Sequence, residues 1–254
     1  MIILKIAFVN LIKNDKKGFL NNVKYYMGEK LNKIYQKNEN FYSYNFNEKT
    51  KKKIIKKLKN YSYALTENDT DIGFKTLTGQ TFVKYMIYEI YKSLSKRKDE
   101  ITLLVNTLSE ENVEIIKDLA SKIKVVNIVT ENDAFFNLDR NLERQNVYIT
   151  VSNNKRKSLK NVEIAVNFDF KSIKRYNFNR NMTIVDLTGT LEIPRAFDGK
   201  IIKKLNITTK KKLRIFAEYE NFSKSKLMEY QILNLPNYSK IREYIEMNKL
   251  KIAD

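Results

Sequence analysis

Four cations stand within six positions at Lys155-Arg156-Lys157-Ser158-Leu159-Lys160, directly after the apolar run Val147–Ser152. The chemistry open to such a group is electrostatic: ammonium and guanidinium groups beside a serine hydroxyl hold a phosphate or a carboxylate. Open α/β sheets bind ligands beyond the carboxyl ends of their strands, which is where this group falls. Lys155, Arg156, Lys157, Ser158 and Lys160 are therefore candidate ligand-binding residues, with an ordinary exposed loop as the alternative.

A denser run of charge, Lys49-Thr-Lys-Lys-Lys-Ile-Ile-Lys-Lys-Leu-Lys59, puts Ile54, Ile55 and Leu58 on one face if it is helical. Like charges four residues apart, such as Lys49 with Lys53, cost a few tenths of a kcal/mol each. A polyanion or anionic lipid headgroups would relieve them. Lys52, Lys53, Lys56 and Lys57 are thus candidate polyanion-binding residues, against the reading of a solvated outer helix face. The turn Asp69-Thr70-Asp71-Ile72-Gly73 completes no calcium-loop pattern, since Ile72 and Thr78 occupy the required Gly and Glu positions. It reads as a polar turn.

Other chemistry is excluded by composition. With no Cys and no His among 254 residues, there is no thiolate nucleophile, no disulfide and no Cys/His zinc site. The side chain best suited to proton transfer near neutral pH is also missing. Catalysis would fall to Asp, Glu, Lys, Tyr, Ser or Arg, and a protein-bound metal would be a hard, oxygen-ligated cation. No metal site is expected. The net charge of +19 invites a nucleic-acid or anionic-membrane partner. Yet of 48 Lys and Arg only nine are Arg, and Asn, Ile, Tyr and Phe are abundant too, as AT-rich codons would produce. Both explanations of the charge stay open.

These residues need elements to position them. Apolar runs at 2–9, 41–46, 61–65, 101–106, 125–130, 147–152, 162–168 and 182–187 read as strands. Helices are expected over 17–36, 49–60, 79–95, 109–123, 134–144, 223–233 and 239–249, the last capped by Ser239. Asp198-Gly199 between extended segments is a hairpin signal. The fold class is therefore α/β: a mostly parallel sheet with helices on both faces. Residues 1–96 form an N-terminal α/β region and 97–190 a second domain. A hairpin and two helices over 191–254 pack on that domain. No apolar run approaches the roughly 18 residues that span a bilayer, the apolar start reads as a strand and not a signal peptide, and a cytoplasmic location is expected.

The order strand, tight turn, helix at Ile101–Asn112, with the following strand ending at Thr130-Glu131-Asn132-Asp133, resembles a Rossmann-like domain. "SLKNVEIAVNFDF" resembles the fourth-strand region of shikimate-dehydrogenase-type proteins, and the whole stretch of about 100–190 is similar to Rossmann-like proteins of AT-rich bacteria. The resemblance implies that Glu131 or Asp133 bonds a ligand hydroxyl. It departs from the family at the glycine loop, where Asn106, Thr107, Leu108, Ser109, Glu110 and Glu111 stand instead. Side chains crowd the approach, and two carboxylates complement the helix dipole, so a pyrophosphate meets like charge. Ser109 reads as a helix N-cap.

No cofactor, NAD(P) included, is expected. The expected function is a non-catalytic ligand-binding or protein-interaction module on a degenerate Rossmann-like scaffold, with a small anionic ligand or a protein as partner. One alternative is a nucleic-acid or anionic-membrane surface binder acting through 49–59. The other is an NAD(P)-dependent oxidoreductase with an atypical phosphate loop.

Overall fold

The computed structural model describes residues 6–11, 32–36, 39–46, 51–66, 72–95, 99–138, 148–203, 205–208, 224–233 and 235–253. The expected helix over 17–31, most of the turn at 67–71 and the end of the helix at 139–144 lie outside them. The chain forms two compact units, Met1–Phe82 with Lys212–Leu235, and Val83–Lys211 with Pro236–Asp254. The division falls inside a short helix (Gln80–Tyr85) and not at the charged stretch 96–100, because the helix that follows it packs on the second sheet. Residues 191–254 are likewise shared between the two units.

In the first unit, β1 (Ile6–Leu11) sits centrally between β3 (Glu39–Phe46) and β4 (Tyr63–Thr66), and β5 (Thr76–Leu77) extends β4; these four are parallel. β2 (Asn32–Gln36) pairs antiparallel with β3, Ile34 opposite Phe41. Asn32–Gln36 was expected as the end of a helix. Its apolar spacing suits either period over five residues, and pairing with the aromatic run of β3 decides for the strand. α1 (Lys51–Leu58) buries Leu58 in a cluster with Ala7, Val9, Ala64 and Ile72. α2 is Gln80–Tyr85, and Gly79 before it has φ +82. α5 (Lys224–Ile232) supplies a buried lysine, Lys226, whose ammonium donates to the Thr66 carbonyl at 3.0 Å.

The second unit carries a six-stranded, wholly parallel sheet. Its strands are β6 (Glu100–Leu104), β7 (Val125–Val129), β8 (Tyr148–Ser152), β9 (Ile164–Asn167), β10 (Thr183–Asp186) and β11 (Lys200–Ile202). They lie in the order β11-β10-β9-β6-β7-β8. From β6 the chain steps outward twice in one direction, then returns to β9 beside β6 and steps outward the other way. This is the doubly wound Rossmann-like order, with its switch point between β6 and β9. The signal read as a hairpin at Asp198-Gly199 serves a different turn. The Asp198 amide donates to the Arg180 carbonyl at 3.0 Å, and Lys200–Ile202 continues parallel to β10. Glycine is required because a Cβ at 199 would strike the Met182 carbonyl. Antiparallel pairing in this region joins β12 (Asn206–Thr208) to β13 (Lys251–Ala253) instead.

α3 (Ile87–Leu94), α4 (Glu110–Lys122) and α6 (Tyr238–Met247) pack together, α3 reaching β9 and α4 reaching β7. Arg242, 8% exposed, ties the three helices: it bonds both Glu89 oxygens at 2.9 and 3.0 Å and stands 3.7 Å from Asp118, which also accepts from the Tyr238 hydroxyl. Ser109 caps α4 as expected, accepting from the Asn112 amide at 3.2 Å. Asn237, and not Ser239, caps α6, its side chain accepting from the Lys240 amide. A second core beside Leu104, Ala165 and Ile184 takes no residue from these helices. It is closed by irregular chain carrying Leu159, Phe170, Ile173, Tyr176 and Leu191. That chain is held in register by bridges between Leu159 and Phe178 and between Ser172 and Glu192.

Candidate functional site

The buried strand β6 ends at Leu104, and the chain turns through Val105–Ser109 into α4 without a glycine. Side chains hold this turn. The Asn106 side-chain oxygen accepts from the Glu131 amide at 2.7 Å, and its carbonyl accepts from the Asn132 side chain at 2.8 Å, which joins the turns after β6 and β7. The Asn112 side chain donates to the Thr107 carbonyl at 2.6 Å. The amides of Asn106 and Thr107 donate to the two oxygens of one carboxylate, Asp169, at 2.6 and 2.7 Å. Adjacent N–H groups converging ahead of a helix are an anion-binding arrangement. Here the anion is a side chain of the protein itself.

Asp169 is placed by the end of β9. Asn167, fully buried, accepts from the Phe170 amide at 2.9 Å and donates to the Asp186 carboxylate at 2.8 Å. Asp186 also accepts from the Thr188 hydroxyl at 2.7 Å and the Leu191 amide at 3.0 Å. Burial alone would raise the Asp186 pKa. The bonds from Thr188, Leu191 and Asn167 outweigh it and hold the carboxyl below its ordinary value. A polar network buried and bonded in this way fixes the strand ends.

At the switch point these pieces enclose a cleft of about 670 Å³. Asn106, Thr107, Glu131, Asp169 to Ser172, Lys174 to Tyr176, and Glu192 line it. Its acids are engaged: Glu131 by Lys155 at 2.9 Å, Glu192 by Lys174 at 2.7 Å, and Asp169 by the two amides. Lys171 and Arg175 are exposed and form no ion pair among the described residues. Tyr176 is 4% exposed and packs on Phe170 at 5.9 Å, with Glu131 beside its hydroxyl. Burial, and then the charge of the adjacent Glu131, push its pKa up to about 12, so the phenol keeps its proton at neutral pH. The Lys155 ammonium lies 5.7 Å over its ring.

The structure thus brings Lys155 and Glu131 together at the cleft. Arg156, Lys157 and Lys160 are exposed and, like Lys155, outside its lining, and the Ser158 hydroxyl is turned back onto the Asn154 carbonyl. Asp133 is exposed at the start of a 3-10 turn, also outside the lining. Glu110 and Glu111 do stand in the first turn of α4, but the carboxylate against the amides is Asp169. Sequence reasoning missed Asp169, Tyr176, Lys171 and Arg175. The one available signal was a polar pair, Asn167 and Asp169, closing an otherwise apolar run. On α1, Lys52 and Lys56 are exposed, Lys57 is half-buried, and Lys53 shares the helix. Among the described residues no group of three or more acids could hold a metal, and no helix is long and apolar enough to cross a membrane.

No family model matches the chain, and no curated protein does. Among solved structures, the D-isomer specific 2-hydroxyacid dehydrogenase of Lactobacillus delbrueckii ssp. bulgaricus, in its NAD-complexed form, aligns with 96% of this chain and 95% of its own. The identity is 9% and the TM-score 0.32. A likeness that distant carries nothing about ligand or activity. The Rossmann-like assignment rests on the strand order.

Proposed function

We propose that the second unit is a non-catalytic ligand-binding module whose site is the cleft between β6 and β9. The observation that carries the proposal is the Asp169 carboxylate bonded to the Asn106 and Thr107 amides. A diphosphate entering that turn would have to displace a tethered anion and then lie against Glu110 and Glu111, so the dinucleotide mode is disfavoured while the scaffold is kept. Among the described residues, the engagement of every acid of the cleft supports the non-catalytic part. Each carboxylate of the cleft already holds a cation or amides, and Tyr176 is a donor and not a base. Lys155 and Glu131 stand where a small ligand would meet them.

Isothermal titration of the intact protein with NAD, NADP and ATP tests the reading. No heat is expected. Binding of NAD that Thr107→Pro abolishes would revive the oxidoreductase alternative. The other alternative, a polyanion surface on α1, is favoured by Lys52 and Lys56 lying exposed on one helix with no acid in its first turn. It requires binding to duplex DNA or anionic vesicles that falls steeply with salt and is lost on alanine substitution at 52, 53, 56 and 57.

A further inference from the structure

We propose that the open edge of the six-stranded sheet at β8 binds an extended segment of another protein, which adds to it as a further strand and sets acidic side chains against Arg156 and Lys157. β8 ends the strand order, with β7 on one side and no strand among the described residues on the other. The Thr130 amide donates to the Ser152 carbonyl at 3.0 Å, so the backbone groups of Tyr148, Thr150 and Ser152 face β7. By the two-residue alternation of a strand, the N–H and C=O of Ile149 and Val151 face outward. Among the described residues nothing pairs with them.

Proteins blunt such an edge with charged side chains, above all lysine. The opposite edge, β11, carries Lys200, and Lys203 follows it. β8 has no such guard. The ten residues from Gln145 to Asn154 hold no charge, in a chain of which 30% is charged, and Tyr148 stands 73% exposed on the strand. Main-chain bonds to an open edge of this kind are a general mode of peptide recognition. Electrostatics select the occupant. Directly beyond β8, Arg156 and Lys157 are exposed and form no ion pair among the described residues, whereas Lys155 is taken by Glu131. A strand continuing past Ser152 would bring its side chains to those two cations, where carboxylates gain and ammonium groups lose. A second copy of the chain is the poorer fit. Each copy carries +19, and cations flank β8 at both ends, Arg144 before it and Lys155 to Lys157 after it, so antiparallel self-pairing sets like charges together. An acidic segment from another protein meets neither objection. The edge is two strands removed from β6 and its cleft, so either site can hold without the other.

The test is NMR titration of the intact protein with a synthetic peptide joining Thr-Val-Thr-Val-Thr to Glu-Asp-Glu. The acidic end comes last in one probe and first in another, to allow both strand directions. Without peptide, the Ile149 and Val151 amides should exchange quickly with deuterium while those of Thr150 and Ser152 are protected. One of the two probes should bind and slow the exchange of Ile149 and Val151, and a probe carrying Lys-Lys-Lys in place of the acids should not bind. Val151→Pro removes an outward N–H, a change that edge strands tolerate, and should abolish binding. Arg156→Glu with Lys157→Glu, both exposed, should weaken it about tenfold and decides the matter if the proline variant fails to fold. An unchanged melting temperature confirms folding. No binding of either acidic probe, or binding that leaves the two amides exchanging freely, overturns the proposal. So does protection without peptide: dependent on protein concentration it assigns the edge to a second copy, and independent of it to the chain itself. Binding that survives the substitutions, or that the basic probe shares, overturns the acidic partner.

Discussion

Removing the Asp169 carboxylate tests the central argument most sharply, because it acts on stability and on anion binding in opposite ways. Asp169→Ala deletes two short bonds, 2.6 and 2.7 Å, to the amides of Asn106 and Thr107. A hydrogen bond to a charged group is worth about 1.5–3 kcal/mol. Thr107 is exposed and Asp169 half-buried, so water replaces part of that, and a net loss of about 2 kcal/mol is expected. Urea unfolding followed by far-ultraviolet circular dichroism would read it as a lower midpoint. The freed amides then form an open anion site ahead of α4. Phosphate at ten times its dissociation constant would return about 1.4 kcal/mol to the variant by mass action, and much less to the parent protein. Asp169→Asn, which keeps one acceptor oxygen, should lie between the two. If Asp169→Ala unfolds at the parent midpoint and phosphate stabilises both proteins equally, the carboxylate is not the occupant of the anion position, and the exclusion of a diphosphate fails.

Further outcomes follow from the buried groups. Asp186 has its pKa depressed in the folded state, so its contribution is complete above the unfolded value of 3.8 and is lost as pH falls through the lower folded value. Denaturant midpoints between pH 2 and 6 should show that acid limb, and Asp186→Asn, less stable at pH 7, should flatten it. Arg242→Met leaves Glu89 and Asp118 without their shared cation inside the helix layer, and a loss of about 3 kcal/mol in equilibrium unfolding is expected; parent-like stability would show the pair to be dispensable. Gly79→Ala places a Cβ against the Ser225 hydroxyl at φ +82, and the melting temperature should fall; Gly189→Ala, in the second unit at φ +70 but with open space around it, should lower it by less.

The parts of the second unit that were readable share one property: their determinants are local. Ser109 followed by Glu110 and Glu111 defines the start of α4 within one turn, and the β-branched runs of β6, β7, β9 and β10 are buried on both faces. What escaped depended on residues far apart in the chain. Asn32–Gln36 is a strand because β3 is there to pair with it. Asp198-Gly199 carries a hairpin signature, yet β10 takes the following residues as a parallel neighbour, an outcome fixed by the approach to Met182. The site shows the same division. Lys155 and Glu131, expected from their positions after strands, form an ion pair, whereas Asp169 acts on amides 62 and 63 residues away. The place of Tyr176 beside Glu131 exists only once Phe170 and the returning chain have buried it.

The buried contact between Lys226 and the Thr66 carbonyl spans 160 residues. On a ribosome adding about 5–20 residues per second, its two ends emerge roughly 8–30 s apart. The whole six-stranded sheet is synthesised in that interval, from Glu100 through Ile202. The first unit therefore gains this contact only after the sheet of the second has been synthesised. Until α5 arrives, a nascent β4 lacks the helix that packs beside it, so a chain stalled before residue 224 would carry the first sheet without this contact.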